Sequence, residues 1–244
     1  MFTREKLHPQ SGVVKDSLNR YVHHMGERRY RLGERARKQE ATRRRIVEAT
    51  AALHAEVGPA ATTISAIAER AGVQRLTVYR HFPEERQLFE ACSALSEERH
   101  PSPDPAVWVG IADPRERTEA ALGALYRYYA ADEQGLGLVL RDAEELPVLR
   151  EVLAPFVEFL DWIAEDIGAA WAGGMEVEGA GGEEMRGGDA GDEADRARRV
   201  LARLAVDFGV WRALAWQGVE PAEAASMMAG VVAAGGEGGG QRRS

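Results

Sequence analysis

Between Gln74 and His81 the chain crowds together seven side chains that could read or grip a polyanion: Gln74, Arg75, Leu76, Thr77, Tyr79, Arg80 and His81. Glutamine can pair bidentately with adenine and arginine with guanine, each good pair being worth about 1–3 kcal/mol of discrimination, and leucine offers apolar contact to a thymine methyl. Each residue also has a purely structural use. Arg75 can be a solvated charge, Tyr79 a packed ring with its hydroxyl outward, and His81 a cation at a helix C-terminus. Thr62 and Thr63 can serve as caps alone. No enzyme constellation competes with this cluster. The six histidines are scattered, and His23 and His24 are adjacent rather than at ligand spacing. A Gly-rich acidic segment lacks both the phosphate-cradling spacing and a following Lys-Ser/Thr. Cys92 has no evident base partner and reads as a small buried hydrophobe. No catalytic residue, metal site or cofactor is expected.

These side chains need elements to position them, and composition bounds what those can be. At 244 residues the chain can bury a real core, as one large domain or two smaller ones. No apolar run approaches the roughly 20 residues that span a bilayer. The N-terminus lacks the apolar stretch of a signal peptide, and a single cysteine excludes an intrachain disulfide framework. A cytoplasmic protein without a membrane partner is expected. The net charge of −8 hides a division: residues 1–83 carry 16 Lys+Arg against 8 Asp+Glu, and the remainder 15 against 31. One end could approach a polyanion that the other would repel.

Hydrophobic spacing of three and four predicts an all-α chain of about nine helices. Residues 1–34, basic and punctuated by Pro9, Gly12, Gly26 and Gly33, read as a disordered extension; Met25 is an alternative start. A first helix runs from Glu40 to the stop at Gly58-Pro59. Thr63 then caps a short helix through Ile64, Ile67, Ala68 and Ala71, which Gly72 ends by taking the left-handed conformation. A third helix runs from Gln74 to His81, and Pro83 opens a fourth at its first turn. Pro101-Ser102-Pro103-Asp104-Pro105 is a stiff linker. Helices follow at about 114–131, 134–145, 147–172, 193–217 and 220–235. The Gly-rich segment 173–192 reads as a mobile loop and 236–244 as a disordered tail. The expected domains are therefore 35–100, with the motif at about 63–82, and 101–235.

Residues 43–89 resemble the DNA-binding domain of the tetracycline-repressor (TetR) family. The carrying residues are Ala61-Thr62-Thr63-Ile64, Ile67-Ala68-Glu69-Arg70-Ala71-Gly72-Val73, and Thr77-Val78-Tyr79-Arg80-His81-Phe82 followed by the helix opening "PEERQLF". The resemblance implies a three-helix helix-turn-helix domain that lays its third helix in the major groove. It assigns Thr63, Thr77, Tyr79 and His81 to phosphates, contacts that fix register without carrying sequence information. Arg43 and Arg44 belong to a basic run (Arg35, Arg37, Lys38, Arg43–Arg45) that would follow the phosphate backbone, or is only a solvated basic face. Glu84 and Glu85 depart from the pattern, since many family members have a lysine there near a phosphate; Arg86 could substitute.

For the remainder the resemblance implies a helical domain that binds a small-molecule effector and forms a homodimer. Such a dimer suits palindromic half-sites in double-stranded operator DNA. Leu201, Leu204 and Phe208 recur on one helix face, and Met227 and Val231 on the last helix. These are the expected dimer contacts, with an ordinary monomer core as the alternative. Tyr126, Tyr129, Phe159, Trp162 and Trp211 are the expected pocket aromatics, each equally suited to a core. Arg141 and Asp142 either anchor a polar ligand or pair on the surface. The functional expectation is a ligand-responsive transcriptional regulator, by family habit a repressor. The alternative is a helical small-molecule- or partner-binding protein whose DNA site has decayed.

Overall fold

The computed structural model of the chain describes residues 11–173 and 188–236, with side chains placed over 34–172 and 191–236. Its elements are α1 (Ser11–Val57), α2 (Ile64–Ala71), α3 (Arg75–His81), α4 (Glu85–Arg99), α5 (Pro114–Ala131), α6 (Glu133–Ala143), α7 (Pro147–Gly173), α8 (Gly188–Ala205), α9 (Phe208–Ala215) and α10 (Pro221–Ala234). One 3-10 turn lies at Pro105–Val107, and no strand occurs among the described residues. The chain is all-α. The Gly-rich segment falls outside the described residues over 174–187, as does the tail from 237 onward.

The chain divides into two compact units, residues 1–46 and 47–244. The first holds the N-terminal part of α1. Residues 1–10 of the expected extension lie outside the described residues, but from Ser11 the backbone is helical. No proline falls between Pro9 and Pro59, so no amide is missing from the ladder; Gly12, Gly26 and Gly33 cost only about 1 kcal/mol each. Thr42 Oγ1 donates back to the Lys38 carbonyl at 2.9 Å.

In the second unit, α5 packs closely against α10 and α7 against α8. Small residues make the first approach possible: Ala121, Ala224 and Ala225 are buried, and a Cβ at Gly123 would sit 3.8 Å from that of Ala225. Trp108, Leu122, Leu125, Tyr126, Tyr129, Ile163, Ile167 and Trp211 fill the core. Polar ties add register. Arg117 of α5 pairs with Asp166 of α7, and Trp171 Nε1 donates to Thr118 Oγ1 at 3.0 Å.

Several boundaries differ from the sequence expectation; α8 begins at Gly188, within the segment 173–192 expected to be a loop. The helix expected over 193–217 is two helices, α8 and α9, broken at Val206-Asp207. Asp207 caps α9 by accepting from the Val210 amide at 3.1 Å, while the carbonyls at the end of α8 are claimed from across the core. Tyr126 Oη donates to Ala205 O at 2.7 Å and Tyr129 Oη to Val206 O at 2.6 Å. The break therefore leaves no orphan acceptor at those two positions. Pro83 stands outside α4, whose cap is Glu84.

Candidate nucleic-acid interface and an internal cavity

The local chemistry of residues 58–82 dictates a pair of short helices with a sharp turn between them. Thr63 takes extended backbone and its hydroxyl accepts from the Ala66 amide at 3.1 Å, opening α2. Gly72 closes it at φ 64, ψ 41, a conformation open to glycine at little cost. The Val73 amide reaches back to the Ala68 carbonyl at 2.9 Å. Helix α3 follows at once, with Gln74 as its cap residue but without a side-chain capping bond. The glutamine side chain is therefore not consumed by the helix end.

Packing then divides α3 into two faces. Val78 is fully buried, and Ile67, Ala68, Ala71 and Phe82 are buried with it. Burying a valine side chain stabilises by roughly 1.5 kcal/mol or more, which fixes the rotation of the helix. Gln74, Arg75, Leu76, Tyr79 and Arg80 are exposed as a consequence, and Thr77 and His81 are half-buried. Leu76 is 75% exposed, so the fold makes almost no use of it. Thr63 is exposed beyond its cap. In the first unit, Arg44 is exposed and Arg43 half-buried on α1, both of them engaged in interactions of their own. Arg86 does not stand free to replace the missing lysine: it pairs with Glu151 of α7. Arg70 pairs with Glu56 of α1 through both carboxylate oxygens, at 2.5 and 2.8 Å.

A cavity of about 470 Å³ opens among α1, α4, α5, α6 and α7. Its wall is drawn from α1 (Ala51, His54, Ala55), α4 (Phe89, Cys92, Ser96, Glu97), α5 (Tyr128), α6 (Leu136, Val139) and α7 (Leu149, Val152, Leu153, Pro155, Phe156, Phe159). Burial lowers the His54 imidazole to about 4, against the opposing pull of the Asp142 charge, so the ring is neutral at pH 7. Burial likewise pushes the Cys92 thiol up to about 12; the sulfur is an inert part of the wall.

Next to the cavity, Asp142 of α6 ties down the segment joining α1 to α2. The residue is 5% exposed. Its Oδ2 accepts from the Ala60 amide at 2.8 Å and its Oδ1 from Arg141 Nε at 2.7 Å. Burial works against the charged form. Those two hydrogen bonds, with the charge of Arg141, outweigh it and hold the carboxyl below its usual range. Gly58 makes room at φ +90, the carboxylate occupying the place a Cβ would take. A second tie runs from Gln134 Nε2 to the Ala55 carbonyl at 3.1 Å, near the end of α1.

Residues 46–92 match the sequence pattern of the bacterial regulatory proteins of the tetR family. The segment is a tetR-family DNA-binding domain. The fold as a whole is similar to the crystal structure of a transcriptional regulator from Rhodococcus sp. Rha1, with a TM-score of 0.51 and 17% identity over 79% of this chain and 96% of that one. A tetR-family regulator from Streptomyces coelicolor aligns with a TM-score of 0.47 and 16% identity over 80% of each chain. RolR in complex with resorcinol aligns with a TM-score of 0.41 and 22% identity over 84% and 96%. No curated protein matches the chain.

The expected pocket aromatics scatter. Phe159 lines the cavity, joined by Tyr128 and Phe156. Tyr126, Tyr129 and Trp211 sit in the core, where burial raises both phenols and their hydroxyls hold backbone carbonyls. Trp162 is part-exposed, stacked on Phe159 with ring centroids 6.0 Å apart. Among the expected dimer contacts, Leu204, Met227 and Val231 are exposed and joined by Val200. Leu201 is half-buried, and Phe208 is buried against Tyr129. Arg141 and Asp142 do pair, but the carboxylate is buried rather than at the surface. Among the described residues no helix is long and apolar enough to cross a membrane, and no cluster of metal-ligating side chains occurs.

Proposed function

We propose that this chain is a homodimeric, effector-responsive transcriptional regulator: a cytoplasmic repressor released from a palindromic operator when a small molecule occupies the cavity. The observation that carries the reading is the outward face of α3. There Gln74, Arg75, Leu76, Tyr79 and Arg80 are exposed around a leucine that the fold leaves 75% bare. In the proposed complex Gln74 and Arg75 read base edges and Leu76 meets a thymine methyl. Thr63, Thr77, Tyr79, Arg80 and His81 hold phosphates, as do Arg43 and Arg44. Residues 35–100 then act as the DNA-binding domain and 101–235 as the effector and dimer domain. The exposed apolar residues Leu204, Met227 and Val231 support a self-association face, Leu201 flanking it. No enzymatic step is part of the proposal. The effector acts by binding one of two dimer states more tightly, shifting the pair away from the half-site spacing of DNA.

The test is fluorescence anisotropy of the full chain on labelled duplex from just upstream of its own coding region, across a salt series. Specific binding that strengthens as salt falls, and collapses in Arg75→Ala and Tyr79→Ala, is the expected result. Binding no better than to random duplex, with a folded dimer in hand, would favour a helical ligand- or partner-binding protein. The acidic start of α4 and the engagement of Arg86 by Glu151 are the observations that favour that second reading.

A further inference from the structure

The cavity has a charge as well as a shape. Two carboxylates, Glu97 and Asp132, line it, and no lysine or arginine does. Both carboxylates are held in place by uncharged donors. Glu97 accepts from the Ser102 amide at 2.9 Å and from its hydroxyl at 2.7 Å; Asp132 accepts from the Gly135 amide at 3.2 Å as the cap of α6. Their negative charge is oriented but not cancelled. The phenol of Tyr128 is pushed upward first by burial and then by the charges of Glu97 and Asp132, so all three groups share one end of the space. His54 offers no compensating charge at pH 7; His100 is the other imidazole of the lining. Elsewhere the wall is mainly apolar and aromatic, with Phe89, Phe156 and Phe159 beside Ser93, Ser96 and Ser102, and ring faces attract cations.

We propose that the cavity takes a lipophilic organic cation, its charge turned to Glu97 and Asp132 and its apolar body against Phe89, Phe156 and Phe159. This rests on the reading of the cavity as the effector site. A volume of about 470 Å³ suits one drug-sized molecule. Carboxylate and phosphate ligands are disfavoured, because each would add a third negative charge where no lysine or arginine lines the wall.

Two probes of near-equal size and shape but opposite charge test the proposal: tetraphenylphosphonium and tetraphenylborate, titrated into the full chain by calorimetry at pH 7. Saturable binding of the cation, tighter than the anion by at least about tenfold, is expected from two carboxylates a few ångströms away. The double variant Glu97→Gln/Asp132→Asn removes both charges while keeping one acceptor for Ser102 and the helix cap. It should shrink the preference to within about threefold. A preference that persists unchanged in that variant overturns the proposal, since the selectivity then comes from other groups. Anion binding as tight as the cation overturns the ligand class while leaving the cavity as an effector site. Binding of neither ion overturns both the class and the cavity reading, and leaves the DNA-binding reading to the anisotropy experiment.

Discussion

Gly58→Ala is the substitution whose consequences are most tightly bound to named atoms. At φ +90 an alanine is strained whatever surrounds it, and its Cβ would stand 2.4 Å from Asp142 Oδ2 and 2.7 Å from an Arg141 guanidinium nitrogen. Left-handed backbone costs an alanine about 1 kcal/mol. The carboxylate must also move, surrendering the Ala60 amide at 2.8 Å; a hydrogen bond to a charged group contributes about 1.5–3 kcal/mol. Arg141 is exposed, and its pairing with Asp142 adds little. The total expected for Gly58→Ala is then about 3 kcal/mol. Gly72 supplies the reference: it is also left-handed, at φ +64, but a Cβ there meets nothing within 4 Å. Gly72→Ala should lose only the strain, about 1 kcal/mol. The decisive comparison places Gly58→Ala in an Asp142→Ala background, where the obstructing carboxylate is gone. There it should also fall to about 1 kcal/mol, giving a coupling near 2 kcal/mol in a double-mutant cycle. Urea unfolding followed by circular dichroism reads all four proteins. Additive losses, with Gly58→Ala equally damaging in both backgrounds, would refute the idea that the loop and the carboxylate are built for each other.

Three further outcomes are expected. His54 is held near 4 instead of 6.5, so the unfolded chain takes up this proton first as pH falls. Stability present above pH 6.5 is lost between 6.5 and 4, by up to about 3 kcal/mol, and His54→Gln should flatten the urea midpoints across that window. Asp142, whose folded value lies below the usual carboxylate range, acts lower: its contribution is present above pH 4 and disappears only as pH falls through that lowered value. Tyr126→Phe and Tyr129→Phe should each lose about 1–2 kcal/mol by orphaning the Ala205 or Val206 carbonyl. Amide exchange should quicken at the α8–α9 junction. Leu204→Glu with Met227→Glu, two exposed positions, should yield monomers by sedimentation equilibrium and weaken duplex binding, while an unchanged mass would remove this face from the dimer.

What could be read ahead of the structure was local chemistry. Thr63 as a cap and Gly72 as a left-handed stop each depend on a few neighbouring atoms, and both stand where sequence placed them. The exposed face of α3 followed from the same logic, because Val78 and Phe82 could point only one way. What escaped depends on partners far along the chain. Asp142 looked like half of a surface pair with Arg141; its burial comes from Ala60, 82 residues away. Tyr126 and Tyr129 have the composition of pocket aromatics, and nothing in their spacing says that their hydroxyls close the end of α8. Asp207 caps α9, yet the apolar period of Leu204, Phe208 and Trp211 runs straight across it and concealed the break. The cavity wall, shared among five helices, has no signature in any one of them.

That shared wall bears on how occupancy could reach DNA. Helix α6 gives the cavity Leu136 and Val139, and one turn later gives Asp142 to the Ala60 amide at the entry to the motif. Helix α1 gives the cavity Ala51, His54 and Ala55, and three residues later turns at Gly58 against the same carboxylate. An occupant that favours a different seat for α6 must therefore carry the Gly58–Ala60 turn with it or break a charge-assisted hydrogen bond worth about 1.5–3 kcal/mol. A bond of that size is enough to transmit a coupling of the 1–3 kcal/mol usual between allosteric sites. Weakening it should leave effector binding and DNA binding each intact while reducing the coupling of one to the other. Asp142→Asn is the discriminating variant, because it keeps an acceptor for Ala60 but gives up the charge. The fold-change in duplex affinity at saturating ligand should shrink in that variant with the affinity for ligand unaltered. A response as large as that of the unmodified chain would mean that the signal travels through α4 and its Phe89 wall instead.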